Sequence, residues 1–149
     1  MLKAVAFDLD NTIYSQKDFE ISSFKAISKC VAEKYGVDQK RFFLKLVELF
    51  ENGESNRTFD KAIESILSQK PDSWEKFVKN VILDIYRSHS PKLKPYDNIL
   101  NVIYFFKNNN IHLSIITNGN SSIQNNKIDS LNIRDLFNLI YISDDFGLD

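Results

Sequence analysis

The sequence predicts an α/β fold, a parallel sheet with flanking helices, interrupted early by a block of helices. Short apolar runs at residues 3–7, 111–117 and 139–142 supply the strands. A helical pattern sits between each later strand and the element before it, and residues from about 17 to 90 carry helical stripes with no strand among them.

Residues 3–7 hold the unbroken apolar run Ala4-Val5-Ala6-Phe7, opened by Lys3 and closed by Asp8, which suits a strand buried on both faces of a parallel sheet. The next region has another character. Phe24, Ile27, Val31 and Tyr35, then Phe42, Phe43, Leu46, Val47 and Phe50, then Phe59, Ile63 and Ile66 trace apolar stripes at helical spacing. Trp74, Phe77, Val81, Ile82, Ile85 and Tyr86 trace a last one. Breaks fall at 35–38, 52–56 and 69–72, and Asp72 with Glu75 has the spacing of a capping box. These patterns predict a four-helix bundle over residues 17–90, inserted after the first strand. After Pro95, the residues Tyr96, Ile99, Leu100, Ile103 and Phe106 recur at helical spacing until Asn108-Asn109-Asn110 stops them. Strand 111–117 ends in the turn signal Asn118-Gly119. Residues 121–131 then form a helix with Ile123, Ile128 and Leu131 inward and Asn120 or Ser121 as N-cap. Residues 95–142 thus have the rhythm of a doubly wound sheet, and the chain divides into an α/β core at 1–16 and 91–149 and a helical insertion at 17–90.

Composition narrows the function. With 19 Lys+Arg against 20 Asp+Glu, the net charge of −1 argues against a general grip on nucleic acid polymers or on an anionic membrane. No apolar stretch approaches the roughly 20 residues of a membrane span. One cysteine, Cys30, excludes an intrachain disulfide and a multi-cysteine zinc site, and fits a cytoplasmic protein. Cys30 on a helical stripe reads as a small core residue, and His89 and His112 lack a partner at ligand spacing. Lys40-Arg41 reads as a solvated helix start, while Tyr14, Phe19, Phe50 and Trp74 are each open to a core or a substrate-facing role.

Chemistry concentrates at the strand tips, where open α/β sheets bind ligands. The first strand runs into Asp8-Leu9-Asp10-Asn11-Thr12, and in an extended chain Asp8 and Asp10 share a face. Two such acids repel unless compensated, and Mg²⁺ is the usual partner for clustered carboxylates. The second strand ends in Thr117-Asn118-Gly119, a hydroxyl followed by amides suited to an anion. Together these groups suit phosphoryl transfer.

The run from Val5 to Thr12 resembles the first signature motif, Asp-x-Asp-x-Thr, of phosphatases of the haloacid dehalogenase (HAD) superfamily. Ser114 to Gly119 is similar to its second motif, Lys94-Pro95-Tyr96-Asp97 to the return from a helical cap into the core, and Ser143 to Gly147 to the loop before the third motif. The resemblance implies a Rossmann-like core carrying a helical cap, and Mg²⁺-dependent hydrolysis of a small phosphorylated metabolite. It implies Asp8 as nucleophile, Asp10 as acid and base, and Thr117 and Asn118 as the phosphate-binding pair. The metal would be held by the Asp8 carboxylate and the Asp10 main-chain carbonyl, and an acid at position 10 favours phosphatase over dehalogenase chemistry. In the family a Lys and a further metal-binding acid follow the Gly147 region, so the expectation is a carboxy-terminally truncated, partial core with little turnover. Lys107 and Lys127, on helices away from the strand tips, are expected to be no substitute, and Asp144 and Asp145 are expected to be loop acids. The competing reading is a non-catalytic module that self-associates through the exposed first strand. A receiver-type fold is disfavoured by the long gap between Thr12 and the next strand.

Overall fold

The computed structural model describes residues 2–54 and 56–147. In chain order its elements are β1 (Ala4–Phe7), α1 (Gln16–Tyr35), α2 (Gln39–Glu51), α3 (Thr58–Leu67), α4 (Trp74–Phe77), a π-helical turn (Val78–Ile82), α5 (Leu83–Ser88), α6 (Ile99–Asn108), β2 (His112–Thr117), α7 (Ser121–Ser130) and β3 (Leu139–Ile142), with 3₁₀ turns at Arg134–Leu136 and Ser143–Phe146. They fall into two compact units, Met1–Phe19 with Arg87–Asp149, and Glu20–Tyr86.

The first unit is built on a parallel sheet of order β1-β2-β3. Its register sets Phe7 against Ile115, Ile115 against Ile140 and Thr117 against Ile142, so all three strands end on the same side. Burial alternates along the strands. Phe7, Leu113, Ile115, Thr117 and Ile142 are buried, whereas Ala4, Ala6, Ile116, Leu139 and Tyr141 are exposed. The expectation of a first strand buried on both faces is therefore corrected. Both connections step in one direction across the sheet, each through a helical crossover between parallel strands.

Helix α6 begins at Ile99 after Asn98, which takes a left-handed φ of 67°. Tyr96, which the spacing assigned to this helix, lies before it and donates its N–H to the Ile13 carbonyl at 2.8 Å. The asparagine run does end α6, with Asn109 as C-cap and Asn110 at a φ of 56°.

The second unit packs Phe24, Ile27, Val31, Val37, Phe42, Leu46, Leu49, Ala62, Ile63, Trp74 and Ile82 into one apolar core. Helix α2 shows how the sequence directs its own start. The Asp38 carboxylate accepts from the Arg41 N–H at 2.6 Å, and Val37 and Phe42, flanking that cap, are both buried in this core as a hydrophobic staple requires. The capping box anticipated at Asp72 is not formed. Ser73 is the N-cap of α4, without a side-chain bond, and the Trp74 N–H turns back to the Pro71 carbonyl at 2.8 Å. The last stripe is one helical run widened by the π turn, which no Gly or Pro marks.

Candidate active site at the strand tips

Beyond β1 the chain does not stay extended. The Leu9 carbonyl accepts the Ile13 N–H at 3.0 Å and the Thr12 N–H at 3.4 Å, and Asn11 takes a left-handed φ of 57°. Asn was suited to that conformation because its short amide tolerates it and bonds locally. Here the Asn11 side chain accepts the Gln16 N–H at 3.1 Å at the start of α1. Leu9 and Ile13 are fully buried, so the tight turn is anchored from inside.

The two carboxylates take separate partners. Asp8 is exposed, and its hydrogen-bond partner is the Thr12 hydroxyl at 3.4 Å, a long contact that leaves the carboxylate open. Asp10 is enclosed by donors. Tyr14 donates its hydroxyl to Oδ1 at 2.5 Å, Lys127 Nζ lies 2.8 Å from Oδ1 and 3.0 Å from Oδ2, and Gln124 Nε2 lies 2.9 Å from Oδ2. Gln124 Nε2 also donates to Thr117 Oγ1 at 2.6 Å, joining the tips of β1 and β2. Lys127 stands 4.8 Å above the centroid of the Phe19 ring, within cation–π range. Phe19 in turn meets the His89 ring edge-on at 5.8 Å, and burial pushes the His89 imidazole below its ordinary value.

Lys127 is the main correction to the sequence reading. Placed by the sequence on a helix away from the chemistry, it reaches Asp10 and is only 4% exposed. Lys107 stays remote, donating to the Asp135 carbonyl at 2.7 Å. The missed signal was the pattern Gln124, Lys127, Ile128, Leu131, one inward stripe of α7 in which half the residues are polar. Tyr14 and Phe19, left open between roles, are fully buried in this network, whereas Trp74 is buried in the helical unit's core.

The loop after β2 is held firmly. Gly119 has a φ of 123°, which L side chains rarely adopt, and its N–H donates to Ser143 Oγ at 3.0 Å. Asp144 Oδ2 accepts from the Ser121 N–H at 2.8 Å and from the Asn120 side chain at 3.0 Å, so this acid secures the start of α7. Asn118 is exposed directly after Thr117. Among the described residues no group of three or more His, Cys, Asp or Glu side chains could hold a metal. The open Asp8 carboxylate is a hard oxygen donor of the kind that fits Mg²⁺, an ion that keeps several waters and shares itself with phosphate. Among the described residues, surface grooves lie elsewhere, one of about 460 Å³ lined by residues such as Lys40, Arg41 and Glu48, another of about 300 Å³ at the opposite end of β2 beside His112.

A strand-tip Asp, a second Asp two residues on and a Thr at the neighbouring tip thus lie at the carboxyl ends of parallel strands, where open α/β sheets bind ligands. The family model for haloacid dehalogenase-like hydrolases matches residues 5–148, and the chain belongs to that family. It is 25% identical over 151 residues to a glyceraldehyde 3-phosphate phosphatase of Methanocaldococcus jannaschii, covering 99% of this chain and 65% of the relative. A phosphatase of the same name from Methanopyrus kandleri is 27% identical over 154 residues, again with 65% of its length covered. The chain thus spans a little under two thirds of the curated relatives it matches. Among solved structures, the fold is similar to a HAD-superfamily hydrolase of subfamily IA from Geobacter sulfurreducens, at a TM-score of 0.68 and 17% identity over 95% of this chain and 63% of that one. It is also similar to the HAD-hydrolase YfnB of Bacillus subtilis in a magnesium-bound form, at a TM-score of 0.66 and 17% identity over 99% of this chain and 66% of that one. Among the described residues no helix is long and apolar enough to cross a membrane.

Proposed function

We propose that this chain carries the nucleophile and phosphate-binding residues of a Mg²⁺-dependent phosphatase acting on small phosphate monoesters, with Glu20–Tyr86 as its cap. The observation that carries this reading is the division of labour between the acids: Asp8 is open, whereas Asp10 is fixed by donors and tied to Thr117. An Asp8 oxygen attacks phosphorus, the P–O ester bond breaks, and the departing alcohol oxygen takes a proton from Asp10, which draws it in turn from the Lys127 ammonium in contact with it. Asp10 next receives a proton from water, whose oxygen attacks the aspartyl-phosphate and frees Asp8 and inorganic phosphate. The Thr117 hydroxyl and the Asn118 amide hold phosphoryl oxygens throughout. The Asp8 carboxylate and the Asp10 main-chain carbonyl would hold Mg²⁺, which when bound supplies charge compensation at the phosphoryl group.

Triose phosphates are the first substrates to try, given the relatives' names. Hydrolysis of p-nitrophenyl phosphate and glyceraldehyde 3-phosphate with Mg²⁺ tests the reading, and Asp8→Asn should abolish both. Retained activity in that variant removes Asp8 as nucleophile.

A second reading rests on β1, which lies at a sheet edge with Ala4 and Ala6 exposed beside the uncovered Ile116, Leu139 and Tyr141. Such an edge is a template for pairing, so the chain should self-associate with rising concentration. A single monomeric species in sedimentation velocity across a wide concentration range removes it.

A further inference from the structure

We infer that Lys127 and Gln124 are positioning residues for the reaction, Lys127 acting through Asp10 and Gln124 through Thr117; the inference rests on the phosphatase reading above. Both sit on the inward face of α7, one turn apart, and are 4% and 2% exposed. A lysine is rarely buried to that degree unless its charge is met. Here Asp10 meets it with both carboxylate oxygens while the Phe19 ring lies against the ammonium. Tyr14 takes a remaining site on Oδ1 and Gln124 one on Oδ2, so the carboxylate is fixed in direction from three sides.

Gln124 carries the second half of the argument. An amide nitrogen has two hydrogens, and those of Nε2 go to Asp10 Oδ2 at 2.9 Å and Thr117 Oγ1 at 2.6 Å. Thr117 Oγ1 therefore accepts within the protein, and its single hydrogen is left to donate to an anion. One buried side chain thereby sets both the seat of the acid and the polarity of the phosphate-binding hydroxyl. Helix α7 is itself rigidly placed by Asp144 at its first turn and by Arg134, whose guanidinium reaches Asn125 Oδ1 at 2.8 Å.

The decisive experiment compares an alkyl phosphate, whose leaving oxygen needs a proton, with p-nitrophenyl phosphate, whose leaving group departs without one. Lys127→Met should lower kcat by about 10²-fold on the alkyl phosphate, as for a misplaced catalytic group, and far less on the aryl phosphate. In an Asp10→Asn background, where the ion pair is already gone, the same change should cost no further activity. Equal losses on both substrates, or additive losses in the double variant, would overturn the role of Lys127. Gln124→Leu should instead weaken binding of inorganic phosphate, measured by calorimetry, and raise KM for both substrates alike. Unchanged phosphate affinity overturns the role of Gln124. A wild-type protein inactive on both esters overturns the phosphatase reading and these roles together, whereas an active wild type without the split overturns only the positioning.

Discussion

Helix α2 turns Phe42, Leu46 and Leu49 inward along one face, whereas α7 turns Gln124, Lys127 and Ile128 inward along one of its own. The first face is met by apolar neighbours from the helical unit, the second by a carboxylate, a hydroxyl and an aromatic ring at the strand tips. Burial alone therefore says little about role. What separates the helices is whether the buried groups need particular partners: an apolar side chain accepts any close packing, but an ammonium must find its acid. Stability should dominate the consequences of change on one side and turnover on the other.

The comparison breaks most visibly at Trp74, which is fully buried and donates Nε1–H to Asp60 Oδ1 at 2.7 Å. Trp74→Ala should destabilise the helical unit by about 3–5 kcal/mol in urea unfolding followed by circular dichroism. Lys127→Met comes next, at about 3 kcal/mol, since it strands a carboxylate beside an apolar side chain. Adding Asp10→Leu should restore much of that stability, leaving turnover lost. Restored activity would show that the pair serves packing alone.

Asp60 sharpens the contrast as a polar residue in the apolar unit. Burial pushes its carboxyl up, but hydrogen bonds from Trp74 and Arg57 and the charge of Lys70 outweigh this and hold it below the ordinary value. A depressed folded pKa adds stability that is full above the unfolded value, about 3.9, and is lost as pH falls through the folded one. Asp60→Asn should cost about 1–2 kcal/mol at neutral pH and flatten the acid limb of the stability profile. An unchanged acid limb removes Asp60 from the account. The smallest effect is expected at Gly119, where alanine is strained by a φ of 123° rather than by crowding, since the nearest side-chain atom would lie 3.7 Å away. Gly119→Ala should cost about 1 kcal/mol in thermal unfolding and raise KM by moving Thr117 and Asn118.

Much of the architecture was legible in the residues. Apolar runs at 4–7, 112–117 and 139–142 are strands, and the stripes of α1, α2 and α3 lie where their spacing put them. Element type follows from local periodicity, which needs no knowledge of neighbours. The misread parts depended on something distant. Tyr96 has the right spacing for α6, but its N–H is taken by Ile13 from the far side of the helical insertion. Asp72 has cap spacing, yet the turn from Pro71 sets the start of α4 one residue later.

The candidate site divides in the same way. The order of Asp8, Asp10 and Thr117 along the chain, each at a strand end, was determined by the sequence, because strand ends are marked by where apolar runs stop. That Lys127 and Gln124 stand beside Asp10 was decided only by the tertiary structure. More than a hundred residues separate them from that acid in the chain, and the parallel pairing of β1 with β2 is what closes the gap.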